Sequence, residues 1–137
     1  MVSLKSNGDS PKLILRATLA ILILFHGVAK LLGGVGFITG LVAKAGLPPA
    51  LGYLVYVGEV VAPLLVLFGI WTRAAAAVIA INMVVAIVLV HMPQLFKVSG
   101  NGGYALELQA MFLAAALSVA MFGAGKYSVG GSSGKFN

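Results

Sequence analysis

Cysteine is absent from this chain and acid is nearly so. Three carboxylates, Asp9, Glu59 and Glu107, stand against nine lysines and arginines in 137 residues. Without cysteine there is no disulfide, no thiolate metal site, no Cys-based cofactor and no thiol redox pair. Any redox chemistry therefore needs a bound cofactor or a partner. No phosphate loop, dinucleotide fingerprint, serine triad or metal-ligand spacing is present either. Charge of either sign is scarce: 9% of residues are charged and 61% are hydrophobic, where a soluble domain carries about 25% charged residues. A chain this short has no interior large enough to hide so much apolar surface, which excludes a soluble domain. The net charge of +6 reads as membrane topology and attraction to anionic lipid headgroups, with no nucleic-acid partner. Short alternating segments of the kind that build transmembrane strands are missing too.

What remains is an all-α integral membrane four-helix bundle. Its spans are expected at about 13–32, 50–70, 73–92 and 104–123, each near the ~20 residues that cross a hydrocarbon core. Residues 1–11 read as a polar N-terminal tail, in which Asp9 or Ser10 could cap a helix opened by Pro11. Residues 12–128 form the transmembrane domain, and 129–137 a flexible C-terminal tail. The first run contains Gly27-Val28-Ala29 after a basic stretch, as a signal peptide would, and is read as a retained span. Between spans one and two, "GGVGFITGLVAKAGLPPA" is apolar but too short to cross. It fits a short interfacial or re-entrant helix.

Four spans place Lys5, Lys12, Arg16, Arg73, Lys126 and Lys135 on one side, and Lys30, Lys44 and Lys97 on the other. The positive-inside rule then makes both termini cytoplasmic, in what is expected to be a bacterial inner membrane. Threading the chain through this topology gathers His26, Lys30, Glu59, His91 and Glu107 in the outer half of the bundle, with Tyr56 one turn above Glu59. An ionisable residue at the centre of a span costs about 2.5–3.5 kcal/mol on insertion scales. Such groups face the bundle interior and pair, so Lys30 is expected to meet Glu59 or Glu107. These six are the candidates for ligand binding or proton relay; no residue is assigned as catalytic. Each has a structural alternative: Lys30 can snorkel to headgroups, His91 can cap a helix end, and Glu107 can sit in a first turn favoured by the helix dipole. Arg16, Arg73 and Asn82 read as structural polar residues. The arginines lie where they can snorkel, and Asn82 suits an interhelical hydrogen bond. Asn82 lies half a revolution from His91, so the two are not expected to point at one site.

Arg16 ahead of His26-Gly27 and Lys30, Gly46-Leu47-Pro48 before Glu59, Gly69-Ile70-Trp71-Thr72-Arg73 at the next turn, His91, and Gly123-Ala124-Gly125-Lys126-Tyr127-Ser128 at the end together form a pattern. Over about residues 12–128 it resembles the DoxX family of small four-helix membrane proteins. The resemblance covers Arg16, His26, Lys30, Glu59, Arg73 and His91, while Glu107 rests on its position alone. The resemblance implies a redox setting. One such relative is the membrane subunit of a thiosulfate:quinone oxidoreductase, and others are linked to oxidative-stress or quinone-stress defence.

A quinone is the cofactor that suits the cluster, because its carbonyl oxygens need proton donors and its tail an apolar slot. The expected function is a quinone-linked membrane redox subunit, an oxidoreductase component with a soluble or membrane redox partner and capable of homo-oligomerisation. Two alternatives stand beside it: a non-enzymatic scaffold that docks other subunits, and a small proton-coupled transporter. A haem b held by His26 and His91 is the weakest of the cofactor readings.

Overall fold

The computed structural model describes residues 8–137; residues 1–7 of the expected N-terminal tail lie outside the described residues. The described chain is helical, with an isolated bridge between Val98 and Tyr104 in place of any strand. Its elements are α1 (Asp9–Gly33), α2 (Gly36–Lys44), α3 (Pro49–Phe68), α4 (Thr72–Gln94) and α5 (Glu107–Phe122). Helices α1, α3 and α4, of 25, 20 and 23 residues, are each long and apolar enough to cross a bilayer. The chain is a multi-pass membrane protein. Large apolar side chains stand exposed along the outer faces of these helices, among them Leu22, Phe25, Leu64, Val84 and Val88, as a lipid solvent requires.

Two boundaries differ from expectation for local reasons. Helix α1 begins at Asp9, capped by the left-handed Gly8; the Asp9 side chain instead accepts from the Lys126 backbone N–H at 3.1 Å. Helix α5 begins at Glu107, three residues later than expected. The Gly-rich stretch before it closes into a tight turn, in which Asn101 Oδ1 accepts from Gly103 N–H at 3.1 Å and Ser99 N–H donates to the Gly103 carbonyl at 2.7 Å.

Two of the long helices are irregular. Helix α3 opens as a 3-10 helix (Pro49–Leu54), passes through a π turn (Val57–Val61) and ends as regular α-helix from Ala62. Helix α4 is regular to Ala86, then takes a π turn (Ile87–His91) and a 3-10 turn (Met92–Gln94). Helices α1, α3, α4 and α5 pack in a ring, each touching the next, while α2 lies on the 3-10 start of α3. The core sits toward the Arg16 end: Leu19, Ala20 and Ile23 of α1 meet Val66, Ala76, Ile79, Ala116 and Val119. Alanines at 76, 80 and 116 let the backbones approach, as helix packing in a bilayer favours.

The arginines close that end. Arg16 is 1% exposed, so it does not snorkel. Its Nη1 donates to the carbonyls of Val66 and Leu67 at 2.8 and 2.6 Å, its Nε to Ala124 at 3.1 Å, and its Nη2 to Tyr127. The last turn of α3 leaves carbonyls without intrahelical partners, and the guanidinium supplies the missing donors. Arg73 does the same for α5 through the Ala120 and Met121 carbonyls. The segment 129–137, expected as a flexible tail, docks beside the start of α4. Asn137 Oδ1 accepts from the N–H and hydroxyl of Thr72 at 3.0 and 2.9 Å, and the Phe136 carbonyl accepts from Arg73 N–H at 2.8 Å. The first N–H groups of α4 are thereby capped from a distant part of the chain.

Candidate functional site

Opposite the arginine-closed end, the ring opens into a cavity of about 780 Å³, walled by α1, α2, α3, α4 and the first turns of α5. Its surface is mostly apolar. Six side chains with polar ends line it: His26, Lys30, Glu59, Asn82, His91 and Gln109. A ligand cavity of this size, apolar with a few placed polar groups, suits a small organic molecule.

Glycine makes the crossing beneath this cavity. A β-carbon on Gly27 would fall 2.0 Å from the Glu59 carbonyl oxygen, and one on Gly58 would fall 2.6 Å from the Asn82 side chain. Only a hydrogen fits at either place, so the π turn of α3 is drawn against α1 on one side and α4 on the other. Glu59 sits in that turn, 6% exposed. The Lys30 ammonium lies 2.9 Å from both Glu59 oxygens. Lys30 thus reaches Glu59, and the two charges cancel where neither could stand alone.

The remaining candidates separate. Tyr56 does not line the cavity; its hydroxyl donates to the Lys30 carbonyl at 3.1 Å, tying α3 to the end of α1. Glu107 does not join the cluster either; it is exposed, with its carboxylate folded back over Gly103. His26 is exposed, borders the cavity and lies edge-on to Phe112, ring centres 6.0 Å apart.

His91 has two partners that the sequence does not announce. Gln109 Nε2–H donates to His91 Nε2 at 3.3 Å, and His91 Nδ1–H donates to Gln94 Oε1 at 2.9 Å. Both contacts fit one neutral tautomer, with the proton on Nδ1. Gln109 Oε1 is buried with no hydrogen-bond partner. An uncharged amide near the start of a span carries no desolvation alarm comparable to that of a carboxylate; its spacing two residues beyond Glu107 was the one available cue.

Asn82 corrects the sequence reading twice. It makes no interhelical hydrogen bond; its side chain lies flat against Gly58 and borders the cavity. It also shares that cavity with His91. Nine residues on a regular α-helix are half a revolution, but the π turn at Ile87–His91 spends one more residue on its turn. The face after it is rotated back by about 100°, one residue's arc.

The family model for DoxX matches residues 12–92. This chain belongs to the DoxX family. A relative within reach of it, named "Putative oxidoreductase CatD" from Bacillus subtilis (strain 168), is 30% identical over 102 residues, which is 74% of this chain and 75% of the relative. No solved structure matches. The family match spans α1 to α4 almost completely and so includes His26, Lys30, Glu59, Asn82 and His91, while Gln109 on α5 lies beyond it.

Proposed function

We propose that this DoxX protein is a quinone-linked membrane redox subunit and that the quinone headgroup sits among the polar side chains of the 780 Å³ cavity. One observation carries the reading: the polar groups converge on a single apolar hollow, although helices of leucine and alanine pack without them. The residues fit the group. His26 and Asn82 have donors not committed to other side chains, as a carbonyl-bearing ring needs. When bound, a quinone supplies two-electron, two-proton redox chemistry, and the electrons come from a soluble or membrane redox partner.

The chain's own residues have separable tasks. His26 and Asn82 orient the headgroup by hydrogen bonds. His91, held between Gln94 and Gln109, is placed to pass protons between the outer surface and the cavity. Lys30 and Glu59 keep the floor of the site neutral. The apolar walls exclude water. A haem held by His26 and His91 fits less well, since both His91 nitrogens already have amide partners.

In the same reading α5 is a fourth span. Its C-terminal carbonyls bind Arg73 at the start of α4, and Gln109 in its second turn meets His91 near the end of α4, so α5 runs antiparallel along nearly all of α4. Both termini are then cytoplasmic, and α2 lies at the outer interface.

A second reading has its own support. Lys30 and Glu59 satisfy each other, which suits a lock that fixes one helix arrangement in a docking subunit. The two readings part under titration. A short-chain quinone analogue should bind the purified wild-type chain saturably and bind His26→Gln or Asn82→Ala on the order of tenfold more weakly, about 1.4 kcal/mol, with thermal stability unchanged. Absence of saturable binding to wild type leaves the lock as the better account.

A further inference from the structure

The seam between α3 and α4 holds a second, smaller hollow of about 160 Å³, lined by Val57, Val61, Leu65, Trp71, Ala74 and Val78 among others. Val57 and Val78 also line the large cavity. The two hollows therefore adjoin, one polar-ended and one wholly hydrocarbon apart from the Trp71 ring nitrogen. The seam exists because α4 presents Ala74 and Ala75 where α3 presents Val61 and Leu65; small side chains on one helix leave the space between. Val57, Val61 and Trp71 are 43%, 50% and 65% exposed, so the seam faces the lipid side of the ring.

We infer that the ligand of the polar cavity carries a long apolar tail, that this tail lies in the α3–α4 seam toward Trp71, and that the ligand moves between bilayer and site sideways along it. The inference rests on the quinone reading for the headgroup, and it adds the tail, its path and the way in. The division of polarity sets the orientation. A hydrogen-bonding ring finds no partners beside Val61 and Leu65, whereas hydrocarbon in the seam leaves no polar group dry. From Asn82 to Ala74 along α4 is about 12 Å at 1.5 Å per residue, a path that only an extended chain fills. A tailless headgroup would occupy the cavity and leave the seam to lipid.

Trp71 is the single tryptophan of the chain and stands at the seam's far end, so it reports directly. Wild-type protein in phosphatidylcholine nanodiscs is titrated with two quinone analogues of identical headgroup, one tailless and one with a long tail brominated at its tip. The tailed analogue should bind at least tenfold tighter at equal mole fraction in the lipid, and quench Trp71 with the same midpoint as headgroup binding. Ala74→Phe, which fills the seam, should abolish that advantage and the quenching while leaving the tailless analogue unaffected. Val61→Phe serves as the second variant if the first does not fold. Equal affinity of the two analogues, or quenching that rises linearly without saturation as from bulk lipid, overturns the tail path while the headgroup site stands. Failure of both analogues to bind overturns the quinone reading and the tail with it.

Discussion

Gly27 and Glu59 touch backbone to backbone: no β-carbon fits on Gly27, because it would stand 2.0 Å from the Glu59 carbonyl oxygen. The contact sets the height of α3 against α1, and so brings Lys30, one turn further along α1, within reach of the Glu59 carboxylate.

Gly27→Ala should therefore act on the site through the fold. The added methyl meets backbone, which cannot rotate away, so a cost at or above the usual 1–3 kcal/mol of overpacking is expected. Thermal unfolding in detergent measures it. Gly33→Ala serves as the control, because a β-carbon there meets nothing within 4 Å; an equal loss in both variants would refute the close-contact explanation.

The Lys30–Glu59 pair makes a double-mutant cycle informative. Lys30→Met leaves a carboxylate buried without its partner, and Glu59→Leu strands the ammonium less severely because the Lys30 side chain is the more exposed of the two, 24% against 7% for the side chain of Glu59. Lys30→Met should cost about 3–5 kcal/mol, and the double replacement by apolar residues should recover most of that loss. Additive losses would show that the two charges do not depend on each other.

Asn137 caps α4 through Thr72. Asn137→Ala should lower stability by about 0.5–2 kcal/mol, the ordinary value of a helix cap. Thr72→Val in the Asn137→Ala background should add less than it does alone. Chemical unfolding of the four variants gives the coupling.

Reporter fusions placed after Lys44 and after Lys135 should report opposite faces of the membrane, with the Lys135 fusion cytoplasmic. Reports from the same face would remove α5 as a fourth span.

The three long spans were legible because uninterrupted apolar runs bounded by Pro48-Pro49, Arg73 and Pro93 leave few alternatives. Lys30 and Glu59 were legible for a different reason: their desolvation in a bilayer is costly enough to demand a partner. The angle between Asn82 and His91 was not legible because the π turn at Ile87–His91 shifts the face of α4 by one residue, and no residue type announces a π turn. Gln109 and Gln94 give no comparable signal in the sequence, because neutral amides carry no charge that demands a partner. Glu107 was drawn into the cluster by its depth along the chain, whereas the turn at 100–103 holds the start of α5 back and leaves its carboxylate outside.

Arg16 has an awkward youth. Its carbonyl partners lie 50, 51, 108 and 111 residues further along the chain. On leaving the ribosome it has none of them, and α1 enters the membrane with a guanidinium that only lipid phosphate or water can serve. The first helix must wait with that end at the headgroup layer until α3 arrives, and then until the stretch after α5 is made. Biogenesis of this bundle therefore ends at the face where its first helix began.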